Sequence, residues 1–388
     1  MIPLQTKIVS TLEDLKSCKP EWNDAVSNSI SDSVFLTYEW VTSWIQYFAG
    51  GQPLCFVVSK RDQRIIGILP FLQERRRIFG TDYNVLRSPS NSHTNQYNFI
   101  IESNGRAEIL EHMIHFISRN TDWDLMELDF VPDNAQLIPL LRRLEKKSYY
   151  KFNLELLMES PYVAISGSWN DYLQKRDKKV RRNFDYFEKK LKKEGKVEIL
   201  KISAGDDLKS HVMDAFEIEK RSWKGDAGTA IADSENEKGF YTELAQKMSE
   251  KGMFSLYFLA FNGEKIAFDY CLEYNDHFYV LKTGYNPEYG KYSPGRVLMI
   301  NLLRDIHRTG QFSYYDFLGA AEKWKYEWTD SAQRICRITL FNKKPASIFL
   351  CNATLAGEVV KRSIKRYPFA YQLLKQTRNA FLTRRLRN

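Results

Sequence analysis

The chain has 388 residues, more than one hydrophobic core usually organises, and 43% of them are apolar with 22 Tyr and 24 Phe. The length predicts two domains sharing an interface, and that supply of core side chains excludes a disordered chain. The net charge of +9 sits unevenly: Ala346–Asn388 carries nine Lys or Arg against the single acid Glu358, so the body is close to neutral. This argues against a general nucleic-acid surface and for a basic appendix.

The five cysteines (Cys18, Cys55, Cys271, Cys336, Cys351) are widely spaced, and neither they nor the six histidines show metal-ligand spacing. No metal is expected. The N-terminal residues lack the pattern of a secretory signal, and no run of about 18 apolar residues is present. The expected location is therefore cytoplasmic.

Along the first half, VFLTYEWVTSWIQYF places Phe35, Tyr38, Trp40, Trp44 and Tyr47 near helical spacing. The runs PLCFVVSK and RIIGILPFL flank the polar turn RDQ and predict an antiparallel hairpin. A strand NQYNFIIE, a helix ILEHMIHFISR, a strand WDLMELDFV, a helix LIPLLRRLEKKS and a strand FNLELLME follow. SPYVAISGSWNDYLQ reads as a connector containing the domain boundary, and it leads into one long helix from about Trp169 to Glu194. Lys175–Lys196 holds eleven basic and four acidic residues. That face is either simply solvated or a contact for a phosphate-bearing ligand.

The second half predicts helices His211–Trp223 and GFYTELAQKMSEKG. Strands FSLYFLAFN and EKIAFDYCLEYN then turn on Asn262-Gly263, a strong hairpin signal. HFYVLKTGY leads through NPEYGKYSPG into the helix RVLMINLLRDIHRTG, and strands FSYYDFLG and ICRITLF close the domain. A helix start presents unpaired N–H groups and the positive end of the macrodipole, which suits a pyrophosphate. Ser293 is the expected cap, Pro294 fits the first turn, and Gly295 allows close approach. Plain helix capping explains the same three residues.

The order of KKVRRNF, the RSW at Arg221–Trp223, GEKIAFDYCLEY, YGKYSPGRVLM and YYDFLGAAEKWKYEW resembles the acetyltransferase domain of CelD-like and FemAB-like proteins of the GNAT superfamily. VFLTYEWVTSW and IIGILPFL match the first domain of such proteins. The resemblance implies an α/β fold of tandem GNAT-like domains, each a mixed, mostly antiparallel sheet flanked by helices. The domains would be 1–164 and 165–345, followed by a basic helical tail at 346–388. It further implies an acyltransferase using acetyl-CoA or another acyl-CoA, with the cofactor held at Tyr292, Ser293, Gly295, Arg296 and Val297 and by Lys282. The acceptor implied by the CelD-like branch is an amine on a sugar or polysaccharide precursor. In FemAB-type relatives the donor is instead aminoacyl-tRNA, and a catalytically silent acyl-CoA or membrane-binding module is the third reading.

Acyl transfer to an amine needs one base and a few hydrogen-bond donors. Asp269, mid-strand among apolar neighbours, is a candidate base or amine-binding group, or else a structural pairing. Tyr285 or Tyr292 would reprotonate the thiolate, unless they serve packing. Lys325 stands where the resembling families carry a lysine and would hold a phosphate or the acyl oxygen; the alternative is a solvent-facing lysine. Tyr38, Trp40, Trp223 and Asp316 are the candidate acceptor-binding residues, against core packing for the aromatics and a strand-end role for Asp316. The tail has three readings: a basic amphipathic helix on an anionic membrane surface, a contact for an anionic acceptor, or a solvated segment packed on the body.

Overall fold

The computed structural model describes residues 4–147, 149–205, 207–222, 228 and 230–365. The first half contains β1 (Gln5–Val9), α1 (Leu12–Lys16), α2 (Lys19–Ser27), α3 (Tyr38–Phe48), β2 (Leu54–Arg61), β3 (Arg64–Ile78) and β4 (Thr81–Arg87). It continues with β5 (Ile100–Ile101), α4 (Arg106–Asn120), β6 (Leu125–Pro132), α5 (Leu137–Lys146) and β7 (Lys151–Ala164). The second half contains α6 (Trp169–Gln174), α7 (Lys178–Glu194), β8 (Val197–Ile202), α8 (Leu208–Lys220), α9 (Glu235–Ser249), β9 (Phe254–Phe261), β10 (Glu264–Tyr274) and β11 (His277–Tyr285). It ends with α10 (Pro294–Thr309), β12 (Tyr314–Asp316), β13 (Ala332–Phe341) and α11 (Pro345–Lys365). This is the mixed α/β fold expected.

The strands form one continuous sheet in the order β1-β2-β3-β4-β6-β13-β7-β12-β11-β10-β9-β8, with β5 on β3. Each half repeats one theme: antiparallel hairpins followed by a single parallel pair, β4 with β6 and β11 with β12. β7 joins the halves. Its residues 151–161 pair with β13 and its last three, Tyr162–Ala164, pair with β12.

Three expectations are corrected. The last strand, which the sequence reading set in the second half, lies between β6 and β7 of the first. The supposed helix Trp169–Glu194 is two helices: Ser168 caps α6 through a capping box, and a break at Lys175–Asp177 precedes α7. NQYNFIIE contributes only the two-residue β5, because residues 92–98 form a loop.

Hairpin turns take the form that strand twist demands. Asn262 and Gly263, with φ of 51° and 86°, join β9 to β10, both central residues being left-handed as a type I′ turn requires. A core shared by both halves packs Trp22, Trp40 and Trp44 from α2 and α3 with Phe240 and Tyr241 of α9 and Phe268 and Tyr270 of β10. A second core lies under α4 and α5, and a third behind the other face of β10 and β11, under α7 and α10.

Candidate active site at the divergence of two parallel strands

β11 and β12 are hydrogen-bonded only between His277–Tyr279 and Tyr314–Asp316. Beyond that they part, and a cavity of about 230 Å³ opens between Val280–Thr283 on one side and Phe317–Gly319 on the other. Met299 of α10, Tyr241 of α9, and Glu322, Trp324 and Lys325 from the turn after β12 also line it. Ser92, His93 and Asn95 from the loop following β4 complete the lining, so both halves build the cavity.

Lys325 is 5% exposed rather than solvent-facing. Its Nζ donates to the carbonyls of Leu318 (2.7 Å) and Ala320 (2.8 Å), and burial lowers its pKa. Asp316 accepts from the Leu318 N–H at 2.8 Å; burial pushes its pKa up to about 7, with that N–H and the Lys325 charge opposing. Lys282 also lines the cavity, its Nζ 5.0 Å from the centre of the Tyr241 ring.

His93 is the residue the sequence reading missed. Its ring stacks on Phe48 at 5.2 Å, its Nδ1 is 3.0 Å from the Tyr241 hydroxyl and 3.5 Å from Lys282 Nζ, and its Nε2 is 3.4 Å from Glu237. An ammonium donor facing Nδ1 and a carboxylate facing Nε2 favour the tautomer with the proton on Nε2 and the lone pair of Nδ1 toward the cavity. Nothing local marks it: His93 stands in SPSNSHTNQYN, a polar run that reads as a connector.

Asp269 is fully buried on β10, behind the cavity wall, directly across from Thr283 of β11. Among the described residues neither carboxylate oxygen makes a hydrogen bond of good geometry. Burial raises its pKa to about 7, moderated by the Thr283 hydroxyl. The neighbouring Tyr315 hydroxyl is likewise buried without a partner.

From the cavity, Thr283, Gly284 and Tyr285 carry β11 outward over roughly 10 Å to the start of α10. There Ser293 adopts a left-handed conformation (φ 50°) and its side chain makes no capping bond, contrary to expectation; its carbonyl accepts from the Val297 N–H at 3.1 Å. The Val297 side chain is buried in the third core. The amides of Gly295 and Arg296 are the N-terminal ones without a helical acceptor, Pro294 having none. A Cβ on Gly295 would meet only Tyr285 Cδ1, at 3.7 Å, so the space above this turn is open. Lys190 and Lys291 lie over the Tyr292 ring at 5.4 and 4.7 Å and make the helix start cationic, whereas the charge of Arg296 is offset by Glu327 at 2.5 Å.

The structure therefore brings Lys282 and Lys325 to the cavity, buries Asp316 just behind its wall at the end of β12, and sets Tyr285, Tyr292, Ser293, Gly295 and Arg296 around the adjoining helix start. Tyr38 and Trp40 do not line it: both are packed in the shared core, Trp40 edge-on to Phe35 and Phe240. Trp223 lies outside the described residues, as does the tail beyond Lys365. Among the described residues no group of three or more His, Cys, Asp or Glu is placed to hold a metal, and no helix is long and apolar enough to cross a membrane.

Residues 178–326 match the family model of the acetyltransferase (GNAT) domain. None of the curated proteins matches the chain in sequence. Among solved structures, FemX is similar over 89% of this chain and 99% of its own, with 11% identity and a TM-score of 0.60. The C-terminal domain of a putative lysylphosphatidylglycerol synthetase from Agrobacterium fabrum is similar over 88% of this chain and 96% of its own, with 9% identity and a TM-score of 0.50. The chain thus has a FemAB-like, GNAT-type fold and carries a GNAT acyltransferase domain.

Proposed function

Given that domain, we propose that the protein is an acyl-CoA-dependent N-acyltransferase, most simply an N-acetyltransferase, acting on the amine of a sugar or polysaccharide precursor. The observation that carries this reading is the divergence of β11 from β12, which opens a two-lysine cavity at one end and reaches the cationic start of α10 at the other. In this reading the CoA pyrophosphate sits on the Gly295 and Arg296 amides with Lys190 and Lys291 nearby. The pantetheine arm follows β11, and the thioester enters the cavity.

The acceptor amine approaches from the Ser92–Asn95 side, whose polar groups suit a hydroxyl-rich molecule. His93 Nδ1 takes the ammonium proton, with Glu237 supporting the resulting imidazolium. The amine then attacks the thioester carbonyl, Lys282 or Lys325 stabilises the oxyanion, and as the C–S bond breaks the leaving thiolate takes up the proton that the attacking nitrogen sheds on becoming an amide. Asp269, one strand behind Thr283, contributes through that hydroxyl rather than by touching substrate. The protein works in the cytoplasm, at the inner face of a membrane.

The test is the melting temperature with and without excess acetyl-CoA. A ligand at a hundred times its Kd stabilises by about 2.7 kcal/mol. A rise in wild type that is lost in Gly295→Trp supports the reading. No rise with acetyl-CoA or longer acyl-CoAs overturns acyl-CoA as the donor.

One observation favours aminoacyl-tRNA as the donor instead. On α7, Val180, Phe184, Glu188 and Leu191 are buried while Lys178, Lys179, Arg182, Lys189, Lys192 and Lys193 are exposed, a mainly cationic face interrupted by Asp185. The neighbour named a putative lysylphosphatidylglycerol synthetase suits this reading. It predicts tRNA binding that weakens steeply with salt and is lost when that face is neutralised.

A further inference from the structure

The turn joining β3 to β4 is built from Phe79 and Gly80, with φ of 49° and 82°. These are nearly the angles of Asn262 and Gly263 in the second half, where the residue that tolerates them is present. A bulky aromatic in this conformation is strained, and Asn would relieve it. Phe79 gains nothing in return from the fold, since its side chain is 78% exposed.

The ring does not stand alone. Ile78 and Ala346 pack on the small cluster of Tyr83, Val85, Leu125, Phe341, Leu350 and Cys351, which holds the start of α11 beside the β3–β4 hairpin. Facing away from that cluster, α11 exposes Ile348 (40%), Phe349 (63%) and Leu355 (43%). Arg77, two residues before Phe79, and Lys343, two residues before α11, are both exposed and without a carboxylate partner among the described residues. Asp82 and Asp122, the acids nearby, are paired with Arg75 and Lys344. Beyond Leu355 the sequence adds nine basic residues and one acid.

We propose that the Phe79 turn and the exposed face of α11 form one docking surface for an anionic lipid bilayer. Aromatic and aliphatic side chains enter the headgroup boundary while Arg77 and Lys343 neutralise lipid charge. A bilayer accounts for both features, since it accepts unshaped apolar groups and attracts unpaired cations. The surface combines the β3–β4 hairpin with α11, shares no residue with the lining of the cavity, and does not depend on the acyl-transfer reading.

The experiment is co-sedimentation of the full chain with phosphatidylcholine vesicles, with and without phosphatidylglycerol. Wild type is expected to sediment with the anionic vesicles only. Phe79→Asn combined with Phe349→Ser is expected to weaken that binding roughly tenfold or more without lowering the melting temperature, because Asn suits the turn and Phe349 is exposed. Equal sedimentation with both vesicle types, none with either, or undiminished binding by the double variant would each overturn the proposal. So would sedimentation velocity showing a wild-type dimer that the double variant loses, which would make this face a contact between copies of the chain.

Discussion

His93 Nδ1 lies 3.0 Å from the Tyr241 hydroxyl, a contact that joins a loop of the first half to a helix of the second at the mouth of the cavity. The groups facing this imidazole are Glu237 and Tyr241 on α9 and Lys282 on β11, with the Phe48 ring stacked on its face. Losing a general base costs about 10²–10⁴ in rate. His93→Gln should therefore lower kcat/KM for acetyl transfer by that order. The thermal shift produced by acetyl-CoA should persist; its loss in this variant would mean that His93 holds the donor instead.

Asp269 makes stability depend on pH. Its folded pKa, about 7, lies above the ordinary carboxylate value, so between about pH 4 and 7 the folded state binds more protons than the unfolded one. Stability contributed by this group therefore falls as pH rises through that window and is lowest above it. Asp316 acts in the same direction. The melting temperature should drop less between pH 5 and pH 8 in Asp269→Asn than in wild type; parallel curves would refute the linkage.

Lys325 holds the turn after β12 by donating to two carbonyls. Lys325→Met keeps much of the apolar stem but leaves both acceptors unpaired, at a cost of roughly 1–3 kcal/mol each. Denaturant unfolding should show a lower midpoint with an unchanged slope. A midpoint equal to wild type would mean that the turn is held by other contacts.

The halves also meet where α9 crosses α3. The Tyr47 hydroxyl donates to Glu243 at 3.0 Å, and a Cβ on Gly239 would collide with the Tyr47 ring. Gly239→Ala should destabilise by about 1–3 kcal/mol, and adding Tyr47→Ala should recover part of that loss. Simple addition of the two penalties would show that the rings do not meet as described.

Local chemistry made much of this fold readable. Asn262-Gly263 announces its hairpin, and Pro294 with the apolar spacing of Val297, Ile300 and Leu303 announces α10. What escaped is non-local. β13 reads as an ordinary strand, and nothing within it reveals that its neighbours are β6 and β7, because strand pairing is set by distant partners. In TDYNVLR polar residues hide β4. Of the site, Lys282, Lys325, Asp316 and the start of α10 follow from motif order, whereas His93 acquires its role only when a loop of the first half is folded against α9 and β11. Ser293 shows the limit of motif reading: the residue type suits a cap, but its left-handed backbone leaves the side chain without a capping bond.

The placement of β13 bears on how this chain can be made. Ribosomes deliver β6 and β7 more than 160 residues before the strand that belongs between them, so during synthesis two long strands wait with open edges, the condition under which chains add to one another. The closing step brings together segments far apart in sequence, which makes it slow. The first half is thus finished only after the second has been translated, and cutting the chain at the midpoint yields a fragment with a missing rib rather than an autonomous module.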